Sequence, residues 1–166
     1  MGEAPGVAIR KKRNASIVLA VDAVAKGSSD AIVAAGSTGA AMASALFGLG
    51  RIRGIERPAI AATLPTKKDP VILIDVGANS SSTPEMLVQF AMMGATFAKN
   101  VYNRNNPRIG VLNIGEEEEK GNQLVKEAYK LLKENTAGLN FIGNVEGKEL
   151  FQGDVDVVVC EGFVGN

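Results

Sequence analysis

The residues best suited to chemistry lie in a glycine-containing turn that follows an apolar run. Asn113-Ile114-Gly115 leads through four glutamates to Lys120-Gly121-Asn122. Backbone N–H groups and amide side chains in such turns can bind phosphate or a developing oxyanion. Lys120 is the one cation of this motif. Two roles stay open for it: binding an anion, or a surface salt bridge with Glu116 or Glu119 at helical spacing.

Four further turns combine glycine with neutral polar residues. They are Gly36-Ser37-Thr38-Gly39, Gly77-Ala78-Asn79, Gly143-Asn144, and the stretch Gly162 to Asn166 that includes Gly165. If the preceding strands are parallel, all five turns project from one edge of the sheet, where open α/β proteins bind ligands. The Gly36 turn matches neither a Walker A loop nor GxGxxG, and a tight turn with a helix N-cap explains it equally well.

Asp75 lies near the end of the most strand-like run, Val71 to Val76. It is a candidate ligand-binding residue, or a brace for the glycine turn beside it. Magnesium bound by Glu116 and Asp75 is unsupported by their spacing. We therefore predict no metal and no cofactor.

Composition narrows the function classes. The chain has 166 residues, a formal net charge of +0 and no histidine, so no global field favours nucleic acid. The one cysteine, Cys160, lies in an apolar run and is expected in the core. We see neither a signal peptide nor an apolar run of the ~20 residues that span a bilayer, and we expect a cytoplasmic protein.

Alternating elements predict a single α/β domain over residues 1–166 with a mostly parallel sheet. Helices are expected over Val7–Lys26, Ala40–Leu49, Thr83–Lys99, Gly147–Phe151 and the stretch containing Leu124, Ala128, Leu131 and Leu132. Strands are expected over Ala31–Ala35, Ala59–Leu64, Val71–Val76, Ile109–Leu112, Leu139–Val145 and Val155–Cys160. The final Glu161 to Asn166 is typical of a strand-to-helix turn, so we expect a piece of a longer protein, incomplete at both ends.

Several motifs in order carry a family resemblance: RKKRNAS, AAGSTGAAM, GRIRGIERPA, LIDVGAN, NIGEEEEKGN, FIGNVEG and EGFVGN. The chain resembles the bacterial phosphate acyltransferase of phospholipid synthesis (the PlsX family) from about Ala8 to Asn166. The resemblance implies transfer of a fatty acyl chain from acyl carrier protein to inorganic phosphate. It also implies a three-layer α/β/α sandwich like that of isocitrate and isopropylmalate dehydrogenases, a homodimer, and peripheral association with the inner membrane face.

The resemblance also assigns roles to residues. Lys120 would hold phosphate or the oxyanion, and Asn166 would hydrogen-bond the reacting carbonyl. The remaining candidates for substrate or phosphate binding are Gly36, Ser37, Thr38, Gly39, Asp75, Gly77, Ala78, Asn79, Asn113, Gly115, Gly121, Asn122, Asn144, Gly162 and Gly165. Met42, Leu46 and Phe47 could wall an acyl tunnel or simply pack in the core. Arg10 to Arg13, or Arg51, Arg53 and Arg57, could meet the acidic carrier.

The chain departs from the family pattern at both ends. It lacks the family's first strand with its Val-Asp-Ala-Met-Gly-Gly-Asp motif, an upstream histidine, and the helices after GFVGN. We therefore expect this piece alone to be inactive. The alternatives are a phosphotransacetylase-like enzyme, a metal- and NAD-dependent dehydrogenase on the same fold, and a non-catalytic module that binds an acyl carrier through its basic loops.

Overall fold

A computed structural model describes Gly6 and residues 11–134 and 138–166 of the chain. The chain divides into two compact units, Met1–Pro58 and Ala59–Asn166. The prediction of a single domain stays a prediction, and each unit is described by itself.

The first unit contains helices α1 (Ser16–Ala25) and α2 (Thr38–Gly48), which pack together. Their contact is close because Gly48 has no side chain: a Cβ there would lie 2.4 Å from Cγ1 of the buried Val21. Within the helix predicted over Val7–Lys26, Lys11 and Ser16–Ala25 are helical, and residues 12–15 between them form a turn. Residues 7–10 lie outside the described residues.

The predicted buried strand Ala31–Ala35 is wrong. This segment is irregular and largely exposed, and Val33 is 99% exposed. A short apolar run becomes a strand only where a neighbouring strand takes its backbone hydrogen bonds. The described sheet is built entirely from strands of the second unit, and none of them pairs with residues 31–35.

The second unit is a five-stranded sheet with helices. Its elements are β1 (Ala61–Leu64), β2 (Val71–Ile74), α3 (Pro84–Tyr102), β3 (Arg108–Asn113), α4 (Gln123–Glu134), β4 (Asn140–Glu146), β5 (Val157–Val159) and α5 (Gly162–Gly165). The strand order is β1-β2-β5-β3-β4, and only the edge strand β1 runs antiparallel. The predicted α/β fold with a mostly parallel sheet is confirmed. The likeness to isocitrate dehydrogenase stays a prediction.

Helix α3 covers one face of the sheet because its apolar residues recur at helical spacing. The Thr83 side chain accepts a hydrogen bond from the Met86 N–H at 3.3 Å, and Pro84 occupies the first turn, as the sequence predicts. Gly94 lets the helix approach β5 closely, since a Cβ there would lie 2.5 Å from Cγ1 of Val157. Asn103 ends the helix in the left-handed conformation (φ 56°).

The predicted short helix Gly147–Phe151 is wrong. The segment forms consecutive turns, in which Glu149 N–H donates to the Glu146 carbonyl and Gln152 N–H to the Glu149 carbonyl. Leu150 from these turns is buried with Val145 and Val158 on the sheet face opposite to α3. One apolar residue is enough to anchor the connection, so no amphipathic helix is needed.

A buried ion cluster closes the sheet at the amino-terminal ends of β3 and β5. Asp156, which is 8% exposed, accepts hydrogen bonds from the Arg104 and Arg108 side chains and from the Arg108 N–H. This end of the sheet is remote from the glycine turns at the carboxyl ends of the strands.

No helix in the described part of the chain is long and apolar enough to span a membrane.

Candidate functional site

The carboxyl ends of four parallel strands lie side by side and bring most of the predicted turns together. Ile74 pairs with Val159, Val159 with Val111, and Val111 with Asn144. The segments that follow β2, β3 and β5 therefore leave the sheet at one edge. The Gly36 to Gly39 turn belongs to the first unit, where Ser37 caps α2 by accepting a hydrogen bond from the Ala40 N–H at 3.4 Å. Its role in binding phosphate stays a prediction.

Asp75 organises the loop after β2. Its carboxylate is fully buried and accepts four hydrogen bonds, two at each oxygen. Oδ1 accepts from the N–H groups of Ile60 (3.0 Å) and Ala78 (2.9 Å), and Oδ2 accepts from the N–H (2.8 Å) and the side-chain amide (2.9 Å) of Asn79. The predicted phosphate-binding N–H groups of Ala78 and Asn79 thus point at a carboxylate, so a brace is the role that this geometry supports for Asp75.

The turn after β5 fits tightly against the Asp75 loop through two glycines. A Cβ on Gly165 would lie 2.0 Å from the Asp75 carbonyl oxygen, and a Cβ on Gly162 would lie 2.4 Å from the Asn79 carbonyl oxygen. Both approaches are possible only without a side chain. The two loops therefore form one interlocked structure at the centre of the sheet edge.

Cys160 joins these loops and is a residue whose role the sequence did not reveal. Its N–H donates to the Ile74 carbonyl (2.8 Å), its carbonyl accepts from the Asp75 N–H (3.1 Å), and its thiol donates to the Asp75 carbonyl (3.3 Å). Burial, followed by the negative charges of Asp75 and Glu161, raises the pKa of the thiol to about 12. The side chain is therefore a neutral packing group, as the sequence predicts. The sequence signal for this bracing role is the position of Cys160, directly after an apolar strand and directly before a glycine turn.

Asn166, the first of the two predicted catalytic residues, lies against Gly77. Gly77 has φ +113°, and a Cβ on it would lie 3.2 Å from the Asn166 side-chain oxygen. The structure thus brings together a residue from the turn after β2 and one from the turn after β5. Among the described residues, no hydrogen bond engages the Asn166 amide, so its N–H donors remain available for a ligand.

The loop after β3 is held by Asn113. Its amide donates to the Lys120 carbonyl at 3.0 Å, and its side-chain oxygen accepts from the Ile114 N–H at 2.8 Å. Gly121 (φ +89°) closes the loop, and a Cβ there would lie 2.4 Å from the Asn113 side-chain oxygen. Asn113 and Gly121 therefore form the base of the loop that carries Lys120.

Lys120, the second predicted catalytic residue, has its aliphatic stem over the buried Gly115. A Cβ on Gly115 would lie 3.0 Å from Cγ of Lys120. Within the described residues, the Lys120 ammonium forms no ion pair, so the salt bridge with Glu116 or Glu119 is absent. Glu118 instead pairs with Lys133 at 2.6 Å. The acidic run is thus anchored to α4. The Glu117 carboxylate lies near the Lys120 stem, with its Oε2 2.8 Å from the same Cβ position on Gly115.

Two more predicted binding residues serve local structure. The Asn122 side chain accepts from the Val125 N–H at 2.9 Å, as a cap at the start of α4. The predicted turn at Gly143-Asn144 is wrong, because both residues lie inside β4. The buried Asn144 donates from its side-chain amide to the Glu117 carbonyl at 2.8 Å, which ties the acidic run to β4. Glu116 beside it has a raised pKa because it hydrogen-bonds Glu149 and feels its negative charge.

The arrangement is that of an α/β protein with its candidate site at the carboxyl ends of parallel strands. At this site, among the described residues, the Lys120 ammonium forms no ion pair and the Asn166 amide forms no hydrogen bond. Within the described ranges, no group of three or more acidic, histidine or cysteine residues could hold a metal ion. The profile of the family described as "Fatty acid synthesis protein" matches residues 1–166. The chain belongs to this family.

Curated relatives support the assignment. A protein named phosphate acyltransferase from Pelotomaculum thermopropionicum is 55% identical over 166 residues, covering 100% of this chain and 48% of the relative. One of the same name from Heliobacterium modesticaldum is 57% identical over 166 residues, covering 100% of this chain and 49% of the relative. The chain thus spans about half the length of the curated relatives it matches.

A solved structure has the same fold. The EutD phosphotransacetylase from Staphylococcus aureus superposes with a TM-score of 0.68, covering 98% of this chain and 60% of that chain. Its sequence identity is 18%, so the likeness concerns the fold alone.

Proposed function

We propose that a full-length protein containing this chain transfers a fatty acyl group from acyl carrier protein to inorganic phosphate. The family membership and the relatives named phosphate acyltransferase support transfer to phosphate. The product is an acyl phosphate, an activated acyl donor for phospholipid synthesis. Acyl carrier protein as the donor follows from the family resemblance.

The proposed reaction is an acyl transfer. A phosphate oxygen attacks the carbonyl carbon of the thioester, a C–O bond forms, and the negative charge passes to the carbonyl oxygen. The carbonyl double bond then re-forms as the C–S bond breaks, and the thiolate leaves with its electron pair and takes up the proton that the phosphate group loses. Because a thiolate is a good leaving group, with an ordinary thiol pKa of about 8.5, no strong general acid is needed. What the site must supply is positive charge for phosphate and N–H donors for the oxyanion.

The observation that carries the proposal is the contrast between Lys120 and Asn166 and their neighbours. Asp75, Asn113, Asn122 and Asn144 each hold local structure through hydrogen bonds. In the described part of the chain, the Lys120 ammonium and the Asn166 amide are not engaged in this way. We assign Lys120 to phosphate or the oxyanion, and Asn166 to the thioester carbonyl. Gly77 and Gly115 give these side chains room.

The partners we propose are an acidic acyl carrier protein and a second copy of the protein. Lys11, Lys12 and Arg13 are exposed and basic, which suits an acidic carrier; Arg10 lies outside the described residues. We further propose a cytoplasmic homodimer that associates peripherally with the inner membrane face, as the resemblance implies.

Radiolabelled phosphate tests the reaction. A full-length protein is incubated with labelled phosphate and either a long-chain acyl thioester of acyl carrier protein or acetyl-CoA. We expect label in an organic-extractable acyl phosphate with the carrier substrate only. Acetyl phosphate from acetyl-CoA would indicate a short-chain phosphotransacetylase instead, and no labelled product from either donor would refute transfer to phosphate.

A further inference from the structure

Asp75 is a buried charge that the proposed reaction does not use. Its carboxylate is fully buried, yet it is not paired with a cation among the described residues. Four N–H donors at 2.8–3.0 Å surround it instead. A buried charge is tolerated only where such hydrogen bonds compensate it.

The donors that surround Asp75 come from both sides of the loop. Ile60 lies just before β1, while Ala78 and Asn79 lie in the turn after β2. The carboxylate therefore fixes the path of residues 75–79. Gly77 lies inside this path, and it is Gly77 that contacts the Asn166 side chain.

The backbone of Asp75 also fixes the turn that ends in Asn166. Its carbonyl oxygen accepts the Cys160 thiol and faces Gly165 without space for a side chain. Its Oδ2 lies 2.8 Å from the position of a Cβ on Gly162. One residue thus touches both loops on which the Gly77–Asn166 contact depends.

Direct binding of phosphate by Asp75 does not fit this geometry. Both carboxylate oxygens already accept two hydrogen bonds each, and their negative charge repels an anion. We propose that Asp75 is a positioning residue, whose buried carboxylate sets the Gly77–Asn166 contact and thereby aims the Asn166 amide at the thioester carbonyl. This inference rests on the proposed function, because it assigns the role of Asp75 through Asn166.

Asp75→Asn is the decisive substitution. The asparagine has nearly the same shape, but its NH₂ group would face two N–H donors in either orientation of the amide. We expect kcat/KM to fall by roughly tenfold to a hundredfold, the range for losing hydrogen bonds to a buried charge. The fall should appear in kcat, with the KM for phosphate changed by less than about threefold, because a positioning residue does not bind phosphate.

A double-mutant cycle separates positioning from a general effect on folding. If Asp75 acts through Asn166, Asp75→Asn should lower kcat/KM by less than about threefold in an Asn166→Ala background. Asn166→Gln, which keeps an amide one methylene further out, replaces that background if the turnover of Asn166→Ala is below detection. Asp156→Asn is the matched control: it also alters a buried, multiply hydrogen-bonded aspartate, but at the opposite end of the sheet. Its effect on kcat/KM should be small and independent of Asn166.

Asn79→Ala gives a second arm in case Asp75→Asn does not fold. It removes one donor to Oδ2, at 2.9 Å, and leaves the backbone donors in place. We expect a smaller fall in kcat that again disappears in the Asn166→Ala background.

The outcomes distinguish this inference from the proposed function. Equal losses in both backgrounds, or a selective rise in the KM for phosphate, would overturn the positioning role while leaving acyl transfer intact. A wild-type full-length protein that makes no acyl phosphate would instead refute the proposed function.

Discussion

Removing the charge of Asp156 should destabilise the fold without altering the candidate site. Asp156 accepts hydrogen bonds from the Arg108 N–H (2.7 Å), the Arg108 guanidinium (3.0 and 3.2 Å) and the Arg104 guanidinium (3.0 Å). Its own backbone pairs with Arg108 and Ile72. The cluster therefore joins the amino-terminal ends of β2, β3 and β5.

The expected loss follows from burial. The Asp156 and Arg104 side chains are only 12% and 15% exposed, whereas that of Arg108 is 41% exposed. Breaking a fully buried pair costs about 3–5 kcal/mol, and the exposure of Arg108 lowers this figure through solvent screening. We expect Asp156→Asn to lower the free energy of unfolding by about 2–3 kcal/mol, since the asparagine keeps the shape but leaves cations without an anionic partner.

The pH dependence of this loss has a defined sign. Burial would raise the pKa of Asp156, but the hydrogen bonds and positive charge of Arg108, with that of Arg104, outweigh it and lower the pKa. A carboxyl whose pKa is lower in the folded state stabilises the protein fully above its unfolded pKa of about 3.9. This contribution disappears as the pH falls through the folded pKa. The difference between wild type and Asp156→Asn should therefore be constant near neutral pH and shrink below about pH 4.

Urea unfolding of a full-length protein, followed by circular dichroism between pH 3 and 8, measures both effects. Asp154→Asn is the matched control, because the Asp154–Lys68 pair is exposed and its loss should have little measurable effect. A loss for Asp156→Asn no larger than that of the control would refute the assignment of this cluster as a major stabilising contact. A difference that grows as the pH falls below 4 would show that the sign of the pKa shift is wrong.

Three further predictions concern the site. Gly165→Ala would place a Cβ 2.0 Å from the Asp75 carbonyl oxygen, so it should lower the melting temperature by several degrees and reduce turnover, while Gly147→Ala, with open space around it, should do neither. Asn122→Ala removes the side-chain cap of α4 and should lower the free energy of unfolding by about 1 kcal/mol in urea titrations, whereas Asn122→Asp should keep most of it. The Cys160 thiol, buried and with a pKa of about 12, should resist alkylation by iodoacetamide at pH 8 until denaturant is added, as read by intact mass; rapid labelling of the native protein would contradict its burial.

Segments with strong local signals were predictable from the sequence. The run Val71 to Ile74 is a fully buried strand because β-branched and aliphatic residues on both faces suit the middle of a parallel sheet. Helix α3 begins where Thr83 and Pro84 predict, because capping and fixed backbone geometry act over a few residues. Local physics determines these elements, so no tertiary information was needed.

Elements that depend on distant partners were not predictable. The run Ala31 to Ala35 has the composition of a strand but no pairing partner among the described strands, and periodicity cannot report a missing neighbour. The antiparallel direction of β1 is likewise set by its pairing with β2. Strand composition alone does not encode direction.

For the candidate site, residue types predicted its location better than they predicted the role of each residue in it. The sequence grouped Asp75, Asn113 and Asn144 with the ligand-binding residues because polar side chains at strand ends suit both binding and bracing. Only the distances show that their hydrogen-bonding groups hold the loops. Spacing also could not decide whether Lys120 forms a salt bridge with Glu116 or Glu119, because the path of the acidic run depends on distant contacts such as the pair between Glu118 and Lys133.

The central claim is that the Lys120 ammonium, which forms no ion pair among the described residues, supports acyl transfer to phosphate. The most direct measurement is the rate of acyl phosphate formation by a full-length protein, compared with Lys120→Ala and with the control Lys130→Ala, an exposed lysine on α4. Loss of one preorganised charge contact predicts a fall in kcat/KM of roughly a hundredfold to a thousandfold for Lys120→Ala, and no change for Lys130→Ala. Equal turnover by Lys120→Ala and wild type would contradict the account.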